Sequence, residues 1–157
     1  MNIEIGAKAP EFKALSDDGS DFSFSDFLGR WVVLYFYPKD DTPGCTREAC
    51  GFRDNMERIT SIGAAVIGVS PDSSSSHIKF REKFDLNFTL LSDTDKAICN
   101  LYGVIGEKKQ YGKTYLGLIR STFIIDDKGI VRHVYSNVKV DGHVDSVIKK
   151  IEELKEL

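Results

Sequence analysis

The sequence of 157 residues predicts an α/β fold: a central mixed sheet flanked by helices, with an N-terminal β-hairpin added. Three observations predict it. Residues 31–37, WVVLYFY, and 64–70, AAVIGVS, are continuous apolar runs of the kind buried on both faces of a sheet. Segments with apolar residues at helical spacing follow each of them. Late in the chain RSTFIIDDKGIVRHVYS, 120–136, places two β-forming runs around Asp-Lys-Gly, the pattern of an antiparallel hairpin.

Taken in order, residues 6–28 alternate short apolar positions with turn signals at 16–19 and 28–29, which predicts the N-terminal hairpin. The strand at 31–37 ends at Pro38. Pro43 suits the first helical position with Thr42 as its N-cap. Cys45, Ala49, Phe52, Met56 and Ile59 then recur at helical spacing, predicting one helix from 43 to about 62 that Gly63 stops. After the strand at 64–70 come a helix over 73–86, a short strand over 88–93 and a short helix over 95–103. Residues 106–117, GEKKQYGKTYLG, read as a polar loop. Val144, Val147, Ile148, Ile151 and Leu154 form the apolar stripe of a closing helix. Hairpin, β-α-β-α-β-α, hairpin, helix is the order expected of a thioredoxin-like fold with an N-terminal addition and an inserted helix. With no linker or repeat, residues 1–157 read as a single domain.

Composition excludes several function classes. The apolar share of 41% and charged share of 29% are those of an ordinary globular protein. A net charge of −3 argues against a nucleic-acid surface. No apolar run approaches the roughly 18 residues needed to span a bilayer. MNIEIGAKAPEF has neither the basic start nor the apolar stretch of a secretion signal, so a cytoplasmic protein with reduced thiols is expected. Three cysteines, an odd number, cannot form a pure disulfide framework.

The chemistry concentrates at 37–54, YPKDDTPGCTREACGFRD, where a buried strand gives way to a helix. Ligand sites of α/β folds lie at such junctions. Cys45 falls in the first helical turn, where unpaired N–H groups and the helix dipole favour a thiolate nucleophile. It also begins the apolar stripe, so burial as a small hydrophobe is the competing reading. Cys50 lies five residues on, about 140° around and roughly 8.6 Å away in an intact helix. A disulfide needs Cα atoms within about 7 Å, so the pair can bond only if the first turns unwind. Gly44 and Gly51 flank the pair and make unwinding easier. Zinc would need two further ligands, and only Cys99, His77, His133 and His143 are available, without paired spacing. The Cys-x-x-Cys of disulfide reductases is absent.

These residues carry a resemblance. Pro38-x-x-x-Thr42-x-x-Cys45, with a second cysteine five residues later, is similar to the peroxidatic signature of the peroxiredoxins and within them to the Q-type (bacterioferritin comigratory protein) subfamily. GAKAPEF at 6–12 and RSTFIID at 120–126 agree, so the similarity spans nearly the whole chain. The resemblance implies a thioredoxin-like fold and thiol-dependent reduction of hydrogen peroxide and organic hydroperoxides. It implies Cys45 as the peroxidatic nucleophile and Cys50 as the resolving residue. Arg120 would stabilise the thiolate and polarise the O–O bond, and Thr42 would offer its hydroxyl to thiolate and peroxide. Pro38 would shape the pocket, with the Gly44 N–H as a further donor. It implies a thioredoxin-like reductant, no metal or other cofactor, and a monomer or weak homodimer.

The residues also leave plainer roles open. On the residues alone Arg120 reads as a surface arginine, Thr42 as an N-cap and Pro38 as a strand terminator. Cys99 is expected to be a buried packing residue, Arg47 and Glu48 a solvated pair, and the histidines ordinary. The competing functions are a thiol-disulfide oxidoreductase without peroxidase activity and a copper-binding thioredoxin-like protein using Cys45, Cys50 and a histidine.

Overall fold

A computed structural model describes residues 3–156; the outermost ends of the expected 1–157 unit lie outside the described residues. The elements run β1 (Lys13–Ser16), β2 (Asp21–Ser23), a 3₁₀ turn (Phe24–Phe27), β3 (Trp31–Phe36), α1 (Pro43–Asp54), α2 (Met56–Ser61), β4 (Ala64–Ser70), α3 (Ser74–Phe84), β5 (Thr89–Ser92) and α4 (Ala97–Leu101). They continue with β6 (Ile105–Gln110), β7 (Lys113–Leu118), β8 (Ser121–Ile125), β9 (Val131–Ser136) and α5 (His143–Lys155). Seven strands form one sheet in the order β2-β1-β5-β4-β3-β8-β9. β3, β4 and β5 are parallel to one another, whereas β1, β2, β8 and β9 pair antiparallel. The fold is the expected mixed sheet between helices.

β3 is the centre of the molecule, and its side chains show how the sheet divides the core. Trp31, Val33, Tyr35 and Tyr37 face a cluster shared with Cys45, Ala49 and Phe52 of α1, Phe80 of α3 and Val147, Ile148 and Ile151 of α5. Val32, Leu34 and Phe36 face the opposite cluster, with Phe12, Phe24 and the α4 residues Ile98 and Cys99. Period-two alternation thus buries both faces of one strand, which is why WVVLYFY is apolar throughout. No described helix is long and apolar enough to cross a membrane.

Two expectations are corrected. The helix expected over 43–62 is two helices broken at Asn55. The Asn55 amide donates to the Gly51 carbonyl (2.7 Å) and its oxygen accepts from Arg58 (2.9 Å), so one side chain ends α1 and ties into α2. The stretch 106–117 is an antiparallel ribbon, β6–β7, turning through Tyr111 and Gly112, both with positive φ (52° and 75°). Its strands are largely exposed, so no apolar face marked them in the sequence.

Candidate active site

The loop from β3 to α1 sets the site. Thr42 is extended (φ −101°, ψ 156°), as the residue before a proline must be, and Pro43 opens the helix. Cys45 therefore sits in the first turn, at the carboxyl end of the central strand and 1% exposed. Thr42 holds the N-cap position but does not cap with its side chain. Its hydroxyl donates instead to the Lys39 carbonyl (2.8 Å), tightening the loop. Pro38 is half-buried directly after β3.

Arg120, just before β8, is no surface arginine. One of its nitrogens, Nη2, donates to Cys45 Sγ at 3.4 Å, and Nη1 donates to Glu48 Oε1 at 2.7 Å. A guanidinium against sulfur stabilises negative charge there. Burial pulls the Arg120 pKa down, but Glu48 and Cys45 together outweigh it and leave it raised. Gly44 explains how the guanidinium gets so close: a Cβ at that position would stand 3.1 Å from Arg120 Nη2.

Glu48 corrects the expected solvated pair. Arg47 does reach out, to exposed Asp141 (3.1 Å), but the Glu48 side chain is fully buried. One carboxylate oxygen takes the Arg120 bond; the other, Oε2, is buried without a protein partner among the described residues. Burial pushes the Glu48 carboxyl up to about 7, against the pull of Arg120. The hydroxyl of Tyr35, on β3, is also buried and unpartnered, and burial and then Glu48 hold its pKa well above the usual phenol range.

The other two cysteines differ sharply. Cys50 is free and half-buried on the same helix as Cys45. Cys99 is free and fully buried beside Asp93, whose carboxylate accepts the Ile98 and Cys99 N–H groups. Burial, then its bond to Asp93, pushes the Cys99 thiol up, which makes it inert.

The histidines are not ordinary. His77 on α3 is fully buried and bridges Asp40 Oδ2 (2.7 Å) and the Leu91 carbonyl (2.9 Å). The carbonyl can only accept, so Nε2 carries a proton, and Nδ1 faces Asp40, which also accepts from the Tyr37 and Ser76 hydroxyls. Burial lowers the His77 pKa, but Asp40 more than offsets it. This pair fastens the β3–α1 loop to α3. His143 opens α5, meets the Thr122 hydroxyl through Nε2 (2.8 Å) and packs edge-on to Phe52. Burial, with Arg120 adding, pulls it down to about 4, so it is neutral. Among the described residues, the grouping with metal-ligand geometry is Asp40, Asp72 and His77, which includes no cysteine. The signals were positional: Glu48 lies three residues after Cys45 and four before Phe52, on the buried stripe, and His143 lies four before Val147.

Comparison with known proteins adds to this geometry. Residues 5–134 match the AhpC/TSA family model. The chain is 46% identical to peroxiredoxin Bcp of Bacillus subtilis, over 99% of both chains. It is similar to a crystal structure of a Xylella fastidiosa PrxQ mutant, with a TM-score of 0.93 and 34% identity over 99% of each chain. It also matches Xanthomonas campestris bacterioferritin comigratory protein, trapped in intermediate and ligand complexes that bear on alkyl peroxide reduction (TM-score 0.86, 39% identity, 90% of each chain).

Proposed function

The chain belongs to the AhpC/TSA family, among the peroxiredoxins that reduce hydroperoxides with a thiol, and we propose that Cys45 is its peroxide-reactive sulfur, Cys50 its resolver and Arg120 its electrostatic partner. The observation that carries this reading is the pair of bonds from one guanidinium to Cys45 Sγ and Glu48 Oε1 at a helix N-terminus.

The chemistry follows from the positions. Cys45 thiolate attacks the terminal oxygen of ROOH and the O–O bond breaks. The sulfur keeps that oxygen as a sulfenic acid, and the leaving alkoxide or hydroxide takes a proton to become alcohol or water. Arg120, already against the sulfur, stabilises charge as it moves onto the leaving oxygen. The Thr42 hydroxyl, donated to Lys39 at rest, keeps lone pairs for the peroxide O–H. Pro38 screens the pocket from the strand side, and the Gly44 and Cys45 N–H groups lie among the unpaired donors of the first turn. Cys50 thiol then condenses with the sulfenic acid, releasing water and forming one S–S bond. A thioredoxin-type dithiol returns both cysteines to thiols by exchange.

Both cysteines lie on one helix, so the cycle needs no second subunit, and a monomer or weak homodimer suffices. We place the reaction in the cytoplasm, where thiols are kept reduced. The test is hydroperoxide consumption coupled to a thioredoxin system. Wild type turns over and Cys45→Ser does not; equal rates for the two would refute the assignment.

A further inference from the structure

The resolving step requires α1 to unwind, and the contacts along that helix divide at Cys50. Beyond it the helix is fixed. Gly51 packs so tightly against α5 that a Cβ would meet Val144 at 3.0 Å. Phe52 is fully buried and lies 4.8 Å from the Tyr35 ring, centroid to centroid. Arg53 donates to the Phe84 carbonyl (2.6 Å), and Asn55 closes the helix onto Gly51. Before Cys50 the polar ties are few. Arg47 makes only an exposed ion pair, worth little. Besides the buried packing of Cys45 and Ala49, the polar tie that holds the first two turns to the sheet is Arg120, through Cys45 and Glu48.

Glu48 is an unusual clasp. One oxygen is bonded and the other is buried without a partner, in a site whose other facing groups are Cys45 on the same helix, Arg120 before β8 and Tyr35 on β3. His143, from α5, faces Arg120 and is neutral. A carboxylate left half-satisfied in such a site destabilises the closed helix, and a proton on that oxygen relieves the destabilisation.

We propose that Glu48 is the positioning residue for the resolving step: it latches residues 43–50 to Arg120, the hinge falls at Cys50–Gly51, and release of the latch is proton-linked. The proposal rests on the reading that Cys45 and Cys50 bond to each other. Its sign follows from the higher proton affinity of Glu48 in the closed helix than in the unwound one, where it is solvated. The closed state is fully favoured below the ordinary carboxylate range and loses that advantage as pH rises through about 7. Opening therefore increases by up to about tenfold per pH unit on the way up and levels off above that value. Above neutrality the sulfenic acid is delivered to Cys50; in acid it is held in the pocket.

The test is hydrogen exchange, corrected for the intrinsic pH dependence of exchange, on reduced wild type and Glu48→Gln at pH 5.5 and pH 8. The amide of Gln keeps an acceptor for Arg120 and cannot titrate. Between the two pH values wild type is expected to lose about tenfold or more of its protection over Thr46–Asp54, whose N–H groups donate to the carbonyls of residues 42–50. None is expected to be lost at Asn55, Ile59 and Ile62, which donate to Phe52, Asn55 and Arg58 beyond the hinge. Glu48→Gln is expected to keep the same protection at both. Equal pH dependence in the two proteins overturns the latch, and loss of protection at Asn55, Ile59 and Ile62 in wild type overturns the hinge even if the variant does not fold. Peptide mapping of the peroxide-treated protein is a separate arm. Absence of a Cys45–Cys50 bond overturns the resolver assignment, while the exchange result stands or falls independently.

Discussion

Gly44→Ala separates catalysis from stability at a single methyl group. Gly44 lies in the first turn of α1, and its added Cβ stands 3.1 Å from Arg120 Nη2. Relief requires movement of a few tenths of an ångström, and the guanidinium is the side that must give. It cannot swing freely, because Nη1 is held to buried Glu48 at 2.7 Å. The bond from Nη2 to Cys45 Sγ, 3.4 Å at rest, therefore stretches toward the limit for a sulfur acceptor. A charge-assisted hydrogen bond contributes about 1.5–3 kcal/mol, so losing most of it costs roughly tenfold to a hundredfold in the peroxide step. The same substitution removes a helical glycine and gains about 0.5–1 kcal/mol of helix stability. Stopped-flow reaction of the reduced variant with one equivalent of peroxide measures the first effect, and thermal unfolding the second. The expected pair is a slower peroxide step in a protein at least as stable as wild type. A peroxide rate within twofold of wild type would refute the claim that Arg120 acts through this contact.

Other substitutions probe the remaining parts. Arg120→Lys loses the fork that reaches sulfur and carboxylate together, so the second-order rate with peroxide should fall at least about tenfold; an unchanged rate would remove Arg120 from the mechanism. Cys50→Ser should consume one equivalent of peroxide at near wild-type speed and then fail to recycle with thioredoxin, as seen by single-turnover against steady-state assay. Cys99→Ala should leave turnover unchanged and lower the melting temperature, because it removes a buried sulfur and no chemistry. His143→Gln tests a pH term. His143 is held neutral to about 4, so below about pH 6.5 the unfolded chain binds a proton that the folded one refuses, and wild-type stability falls with acidification toward pH 4. The variant should lose less stability than wild type between pH 6.5 and 4.5 in denaturant melts; a parallel loss would place the acid sensitivity elsewhere.

What was legible in the sequence follows the strength of each local signal. WVVLYFY reads as a strand buried on both faces and placed Cys45 at its exit, and the alternation of strands with helices after it predicted the parallel part of the sheet. The break at Asn55 was invisible because Phe52, Met56 and Ile59 keep helical spacing across it; periodicity registers a face and not a cap. The β6–β7 ribbon left no trace in hydropathy because it lies against solvent, though Tyr111-Gly112 marked its turn. At the site, Cys45 stood out by its place in the first helical turn and Arg120 by a resemblance, and the structure shows them in contact. Glu48 was misjudged because a charged residue beside Arg47 suggests a surface pair, whereas its place in the helical stripe turns it inward toward a cation 72 residues away, just before β8. The Asp40–His77 pair is equally non-local, joining a loop to a helix 37 residues later, and no spacing in a single chain announces it.

The central claim is that Cys45 is oxidised by peroxide and captured by Cys50 when the first turns of α1 open. Peptide mapping of the reduced protein after one equivalent of hydrogen peroxide tests it most directly. A single intramolecular bond between Cys45 and Cys50, with Cys99 still a thiol, is the predicted result. Cys45 found bonded to Cys99, or left unmodified while peroxide is consumed, would contradict it.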